Sequence, residues 1–123
     1  MFVFDAVICN TDRHFGNYGV LVDNKTNIIK GVAPIFDNGL SLFHYAMDDD
    51  LKDIKAYAKT RALATYPDFT QFAKKTMSKR QKDMLRKLLE FKFKKHLRYN
   101  LDDKHLKIIE KFINDIAKEL LSE

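Results

Sequence analysis

The stretch ICNTDRHFGNYGVLVDNKTNIIKGVAPIFDNGLSLF, residues 8–43, decides the fold. It carries two β-like apolar runs, Tyr18 to Asp23 and Ile28 to Ile35, separated by the polar turn Asn24-Lys25-Thr26-Asn27. Asn and Asp tolerate tight-turn backbone geometry, so the pattern predicts an antiparallel hairpin. Outside the hairpin lie Asp12 and Asn17 on one side and Asp37 on the other. A hairpin returns the chain close to its starting point, so Asp37 is expected to face Asn17 despite the nineteen residues between them. Two look-alike motifs in the turn fail. As a calcium loop starting at Asp23, it has Lys25 at the third position, no glycine at the sixth and Pro34 at the twelfth. Asn24-Lys25-Thr26 fits the glycosylation pattern, but no secretion signal accompanies it.

Before this stretch, MFVFDAVICN reads as a short buried helix over residues 2–9, with a strand as the alternative. It has no basic leader and is interrupted by Asp5, so it is a poor signal peptide. No apolar run approaches the roughly 20 residues that a membrane-spanning helix needs. Cys9 is the only cysteine, which excludes an intrachain disulfide and suits a reducing compartment; it reads as a small core residue. The expectation is a cytoplasmic protein without a membrane partner.

After residue 50 the chain reads as helical. A helix is expected over residues 51–66, with Pro67 closing it or starting the next element, and a short one over Asp68 to Lys75 with Phe69, Phe72 and Ala73 inward. Ser78 and Gln81 form a capping-box signature for a third, with Met84, Leu85, Leu88, Leu89 and Phe93 on one face. The last helix begins near Asp102, with Leu106, Ile109, Ile113, Ile116 and Leu120 at helical spacing and Phe112 alongside. Barely two heptads are present, so a core-facing stripe is expected rather than a coiled coil.

The 123 residues amount to one domain, able to bury roughly two-thirds of its unfolded surface. Hydrophobic content of 46% and charged content of 32% suit a globular chain. The net charge of +5 is uneven: residues 1–50 hold three Lys/Arg and seven Asp/Glu, giving −4, and the remainder holds nineteen and ten, giving +9. Lys92, Lys94, Lys95, His96 and Arg98 alternate with Phe91, Phe93 and Tyr99, a mixture of cations and aromatics that can bind nucleic acid. A solvated helix end with buried Phe is the preferred reading. The four histidines show no zinc spacing, and no Ser-His-Asp arrangement is readable.

The remaining constellation has chemistry. Phosphoryl transfer from ATP needs a carboxylate for the attacking hydroxyl, and a second carboxylate with a neutral oxygen ligand to hold magnesium. Asp12 and Asn17 are five apart in TDRHFGN; the hairpin follows, and Asp37-Asn38-Gly39 then has the Asp-x-Gly form of a kinase metal-binding turn. With NTDRHFGNYGVL followed by APIFDNGLSL, the chain resembles the C-terminal lobe of HipA-type serine/threonine kinases, whose motif Asn-x-Asp-x-His-x-x-Asn is matched by Asn10, Asp12, His14 and Asn17.

The resemblance implies a mainly α fold with a small antiparallel hairpin, a protein-kinase-like large lobe without its small lobe. Residues 1–43 would carry the catalytic loop, hairpin and metal-binding turn, and residues 44–123 a helical bundle. It implies Asp12 as catalytic base, Asn17 and Asp37 as magnesium ligands, and His14 as a residue that supports the loop or approaches ATP. It also implies a protein substrate, and an antitoxin-like DNA-binding protein as one possible partner. The chain departs from the family in placing its catalytic Asp at position 12 and having no glycine-rich run. It therefore reads as an incomplete kinase: a truncated product, a mis-called start, or half of a split enzyme that needs a nucleotide-clamping lobe. Negligible phosphotransfer is expected from it alone. The alternative reading is a non-catalytic interaction module.

Overall fold

Asp102 opens the longest helix, α5 (Asp103–Leu121), its carboxylate accepting the N–H groups of Lys104 and His105 at 3.0 Å each. Those donors have no partner inside the helix, so an N-cap aspartate satisfies them. Along α5, Ile109, Phe112, Ile113, Ile116 and Leu120 are buried on one face, as the spacing predicts, joined by Ala117, while the expected Leu106 is only half-buried. This stripe is the floor of the core. Residues 1–61 and 68–122 are described in this computed structural model.

The first helix, α1 (Phe2–Ile8), lays Val3, Ala6 and Val7 into the core and packs on α5 and on α3 (Phe69–Thr76). Phe2 meets Phe72 edge to face at 4.6 Å between centroids. Asp68 caps α3 as its position suggests, and Ala73 is fully buried. The expected burial of Phe69 lies outside the described residues, as does the segment 62–67 with the expected close at Pro67.

A strand pair β1 (Val20–Val22) and β2 (Ile29–Val32) forms the expected antiparallel hairpin, with Val20 opposite Val32 and Leu21 opposite Gly31. Asp23 shapes the turn: its carboxylate accepts the N–H groups of Lys25 and Thr26, and Asn27 takes the left-handed conformation at φ 55°. These bonds also hold the Asp23 carboxyl below its usual pKa. The strands are shorter than the apolar runs, and every residue in them is exposed. After the hairpin, Leu42 and Phe43 are both left-handed, at φ 52° and 64°, and the Leu42 N–H bonds the Ile8 carbonyl at 2.7 Å. Phe43 is then buried edge to face against Phe112 at 4.7 Å.

The helical half differs from expectation in three places. The helix expected from residue 51 begins as a 3-10 turn, Asp50–Asp53, before α2 (Ile54–Lys59), because the Asp53 side chain accepts the Ala56 N–H and restarts the helix there. The capping box at Ser78 and Gln81 is present, but α4 (Lys79–Arg86) ends before Leu88. Tighter i to i−3 bonds at Lys87, Leu88 and Leu89 close it, leaving Met84 exposed and Leu85 its one buried residue. A helix this charged has little apolar surface with which to anchor further turns. Finally, Lys92 to Tyr99 lies in a loop rather than at a helix end. Phe91 and Phe93 fold against the core from that loop, while Tyr99 stays exposed.

Mainly helical with one two-stranded antiparallel sheet, the described chain has no helix long and apolar enough to cross a membrane.

Candidate functional site

The candidate site begins with a buried charge. Asp5, on α1, is fully buried, and Arg13 reaches back to it with a forked contact: Nε to Oδ2 at 3.0 Å and Nη2 to Oδ1 at 2.8 Å. Taking an isolated carboxylate out of water is costly, so Asp5 needs this partner. Asn10 adds a longer bond from Nδ2 to Asp5 Oδ1 at 3.3 Å. The pairing holds the Arg13 guanidinium above its ordinary pKa, chiefly through the Asp5 hydrogen bonds.

Arg13 has five donors in a planar fork, and the others are spent on two separate loops. Nη1 donates to the carbonyl of Asn17 and to the carbonyl of Phe36, both at 2.8 Å. Nη2 also donates to Asn38 Oδ1 at 2.7 Å. One side chain thus fastens the loop of Asp12 and Asn17 to the turn of Asp37, gripping the residue on each side of Asp37. The charges of Asp12 and Asp37 both stabilise the Arg13 cation, which places the two carboxylates in its neighbourhood.

The loop is organised from within as well. Asn10 Oδ1 accepts the Asp12 N–H at 3.2 Å, and Asn17 Nδ2 donates to the Asp12 carbonyl at 2.7 Å. Asn17 is buried, and with its amide nitrogen fixed on Asp12 its Oδ1 is turned away from that bond. Asn17 Oδ1 and the carboxylates of Asp12 and Asp37 have no hydrogen bond or ion pair among the described residues. Asp37 is exposed and left-handed at φ 56°, a region that aspartate visits more readily than most residues.

His14 is exposed and caps the 3-10 turn Phe15–Asn17, with Nδ1 accepting the Gly16 N–H at 3.0 Å. A Cβ on Gly16 would sit 3.0 Å from the His14 ring, so the glycine makes room for this fold-back. His14 thereby shapes the loop.

Of the residues expected in the site, the structure brings Asn10, Asp12, Asn17 and Asp37 around Arg13. Sequence reasoning missed Asp5, Arg13 and Asn38. Asp5 carried a signal, as a lone acid inside an apolar helix. Among the described residues no group of three or more His, Cys, Asp and Glu side chains is placed to share an ion; the set here is two carboxylates and an amide oxygen. Compared with protein-family models, curated proteins and solved structures, the chain matches none.

Cys9 takes no part. It ends α1 in a left-handed conformation, buried, and burial pushes its thiol up to about 11 against the opposing charge of Arg61.

Proposed function

We propose that this chain forms the magnesium- and phosphate-binding part of a HipA-like, Mg-ATP-dependent serine/threonine kinase site. The observation that carries the reading is the Arg13 clamp, which holds the carbonyls of Asn17 and Phe36 at 2.8 Å each. It gives the Asp-x4-Asn loop and the Asp-x-Gly turn a physical reason to act together.

The donor set fits a hard divalent cation. Asp12, Asp37 and Asn17 offer only oxygen ligands, and magnesium binds through one or two carboxylates while keeping water and phosphate oxygens in its shell. Charge agrees: three carboxylates, Asp5, Asp12 and Asp37, against one guanidinium, Arg13, leave −3 + 1 = −2. Asn17 and Asp37 would hold the ion, which when bound would neutralise charge on the transferring phosphoryl group. Asp12, half-buried with its carboxylate unengaged, would accept the proton of a substrate hydroxyl. His14 would act on ATP only through the loop it shapes.

A nucleotide clamp is the remaining requirement. Kinase catalysis is largely positioning and electrostatics, and no glycine-rich run occurs in these residues. Val20, Leu21, Val22, Ile29 and Val32 of the hairpin, exposed on both faces, are suited to being covered by a second lobe, supplied as a separate partner or a further segment. The same surface favours the second reading, an interaction module without catalysis.

Manganese, a paramagnetic substitute for magnesium, separates the two. Added alone, it should broaden the amide resonances of residues 12–17 and 37–39, and Asp37→Asn or Asn17→Ala should weaken that binding by about tenfold or more. Broadening centred instead on Asp48, Asp49 and Asp50, or unchanged in both variants, would remove the kinase reading and leave the interaction module.

A further inference from the structure

A groove of about 320 Å³ lies on α5, with Leu106, Ile109 and His105 in its lining. Ala46 and Leu51 line it from one segment, and Phe93 and Leu101 from another. Between Ala46 and Leu51 the chain makes an acidic excursion carrying Asp48, Asp49 and Asp50, with Asp53 just beyond and only Lys52 to offset them. Between Phe93 and Leu101 it makes a basic excursion carrying Lys94, Lys95, His96 and Arg98, preceded by Lys92. The two segments that line the groove therefore carry opposite charge, an acidic lip and a basic lip, with Lys95 of the latter already paired to Asp103.

Both lips also present apolar side chains to solvent. Tyr45 and Met47 are exposed beside the acidic segment; Leu97 is 100% exposed and Tyr99 79% exposed on the basic one. Lys94 and Arg98 make no ion pair among the described residues, and neither does Asp48. Asp49 pairs only with the neighbouring Lys52, and both groups are solvated, so such a pair holds the carboxylate weakly.

We propose that this groove is a self-association surface whose occupant is a second copy of the chain. The reason is geometric. A two-fold axis running along the groove turns the facing copy so that its acidic lip meets the first copy's basic lip, and the reverse. The acidic-to-basic contact then occurs twice, once on each side of the axis, as an isologous interface requires. In such a dimer the exposed Tyr45, Met47, Leu97 and Tyr99, which neighbour the charged positions in sequence, would supply the apolar contacts that charge alone does not. The hairpin is not part of this contact, so self-association leaves it available.

The experiment is a charge swap read by sedimentation equilibrium of the whole chain. At low ionic strength the protein should be a dimer, and added salt toward about 1 M should weaken it as the Debye length falls to about 3 Å. The basic-lip variant Lys94→Glu/Arg98→Glu and the acid-lip variant Asp48→Lys/Asp49→Lys should each lower the association constant by about tenfold or more. Mixed in equal amounts they should recover it as a heterodimer, because the new Glu pair of one copy then faces the new Lys pair of the other, while the unaltered lips match as before. All four positions are exposed, and unchanged circular dichroism would show that the fold survives. A monomer under all conditions would overturn the proposal, as would a dimer indifferent to both swaps or a mixture no tighter than either variant. A dimer lost instead in Val32→Lys would place self-association on the hairpin and equally reject the groove.

Discussion

Asp5 and Arg13 show how much a site can rest on residues outside its motif. Both are buried, and removing one leaves the other charge uncompensated. Asp5→Ala should therefore cost about 3–5 kcal/mol of stability, measured by urea unfolding. The same variant should loosen the proposed magnesium site, since Arg13 would lose its anchor on α1. Cys9 gives a second residue-level test. With its pKa raised to about 11, on the order of one thiol in a thousand is ionised at pH 8. An aromatic disulfide reagent should modify the folded protein slowly and the urea-unfolded chain at once. The candidate ligands Asp12, Asn17 and Asp37 were legible because their spacing is chemical. Arg13 was not, since an arginine beside Asp12 in a polar loop looks solvated until Asp5 is known to be buried behind it. Asn38 was hidden for a similar reason, as the middle residue of a turn whose side-chain direction no spacing reveals.

At the scale of elements, α5 was legible from its cap and from five of its buried positions, because apolar residues at helical spacing leave little ambiguity; Leu106, nearest the cap, is the one that stays half-buried. Leu120→Ala should cost about 2–5 kcal/mol, read from the unfolding midpoint at constant slope. Its cap makes a pH prediction. Asp102 is held below the usual carboxyl pKa by the His105 N–H and ring, with a further bond from Lys104. The carboxylate is thus favoured in the folded state, so its contribution is complete above about pH 4 and is lost as pH falls through the lowered value. Hydrogen exchange at Lys104 and His105 should accelerate in acid, and Asp102→Asn, which caps without charge, should flatten that dependence. Where elements were misread, few apolar groups were at stake. The α4 end and the 3-10 start before α2 are decided by single side chains and local turns that periodicity does not register.

Across the whole molecule, the balance between helical body and bare hairpin governs behaviour. The isolated chain should show no ATP-dependent phosphorylation above background; transfer that is present in the pure protein and absent in Asp12→Ala would reverse that expectation. The coarse fold class, mainly helical with one small antiparallel sheet, was legible from the hairpin pattern and the amphipathic helical runs. The cover proposed for the hairpin was not, because such a surface would leave only exposed Val and Ile in the sequence that carries it.

The bond between the Leu42 N–H and the Ile8 carbonyl has a use for the experimenter. It pinches together the two ends of a 33-residue detour, so the polypeptide leaves the helical body and rejoins it through a single doorway. Length added at the far bend, between Asn24 and Asn27, need not displace that doorway, and doubling a flexible loop costs only about 0.6 kcal/mol. A reporter tag or a foreign peptide spliced there should ride on the protein as an outboard fitting, with the body behind it undisturbed.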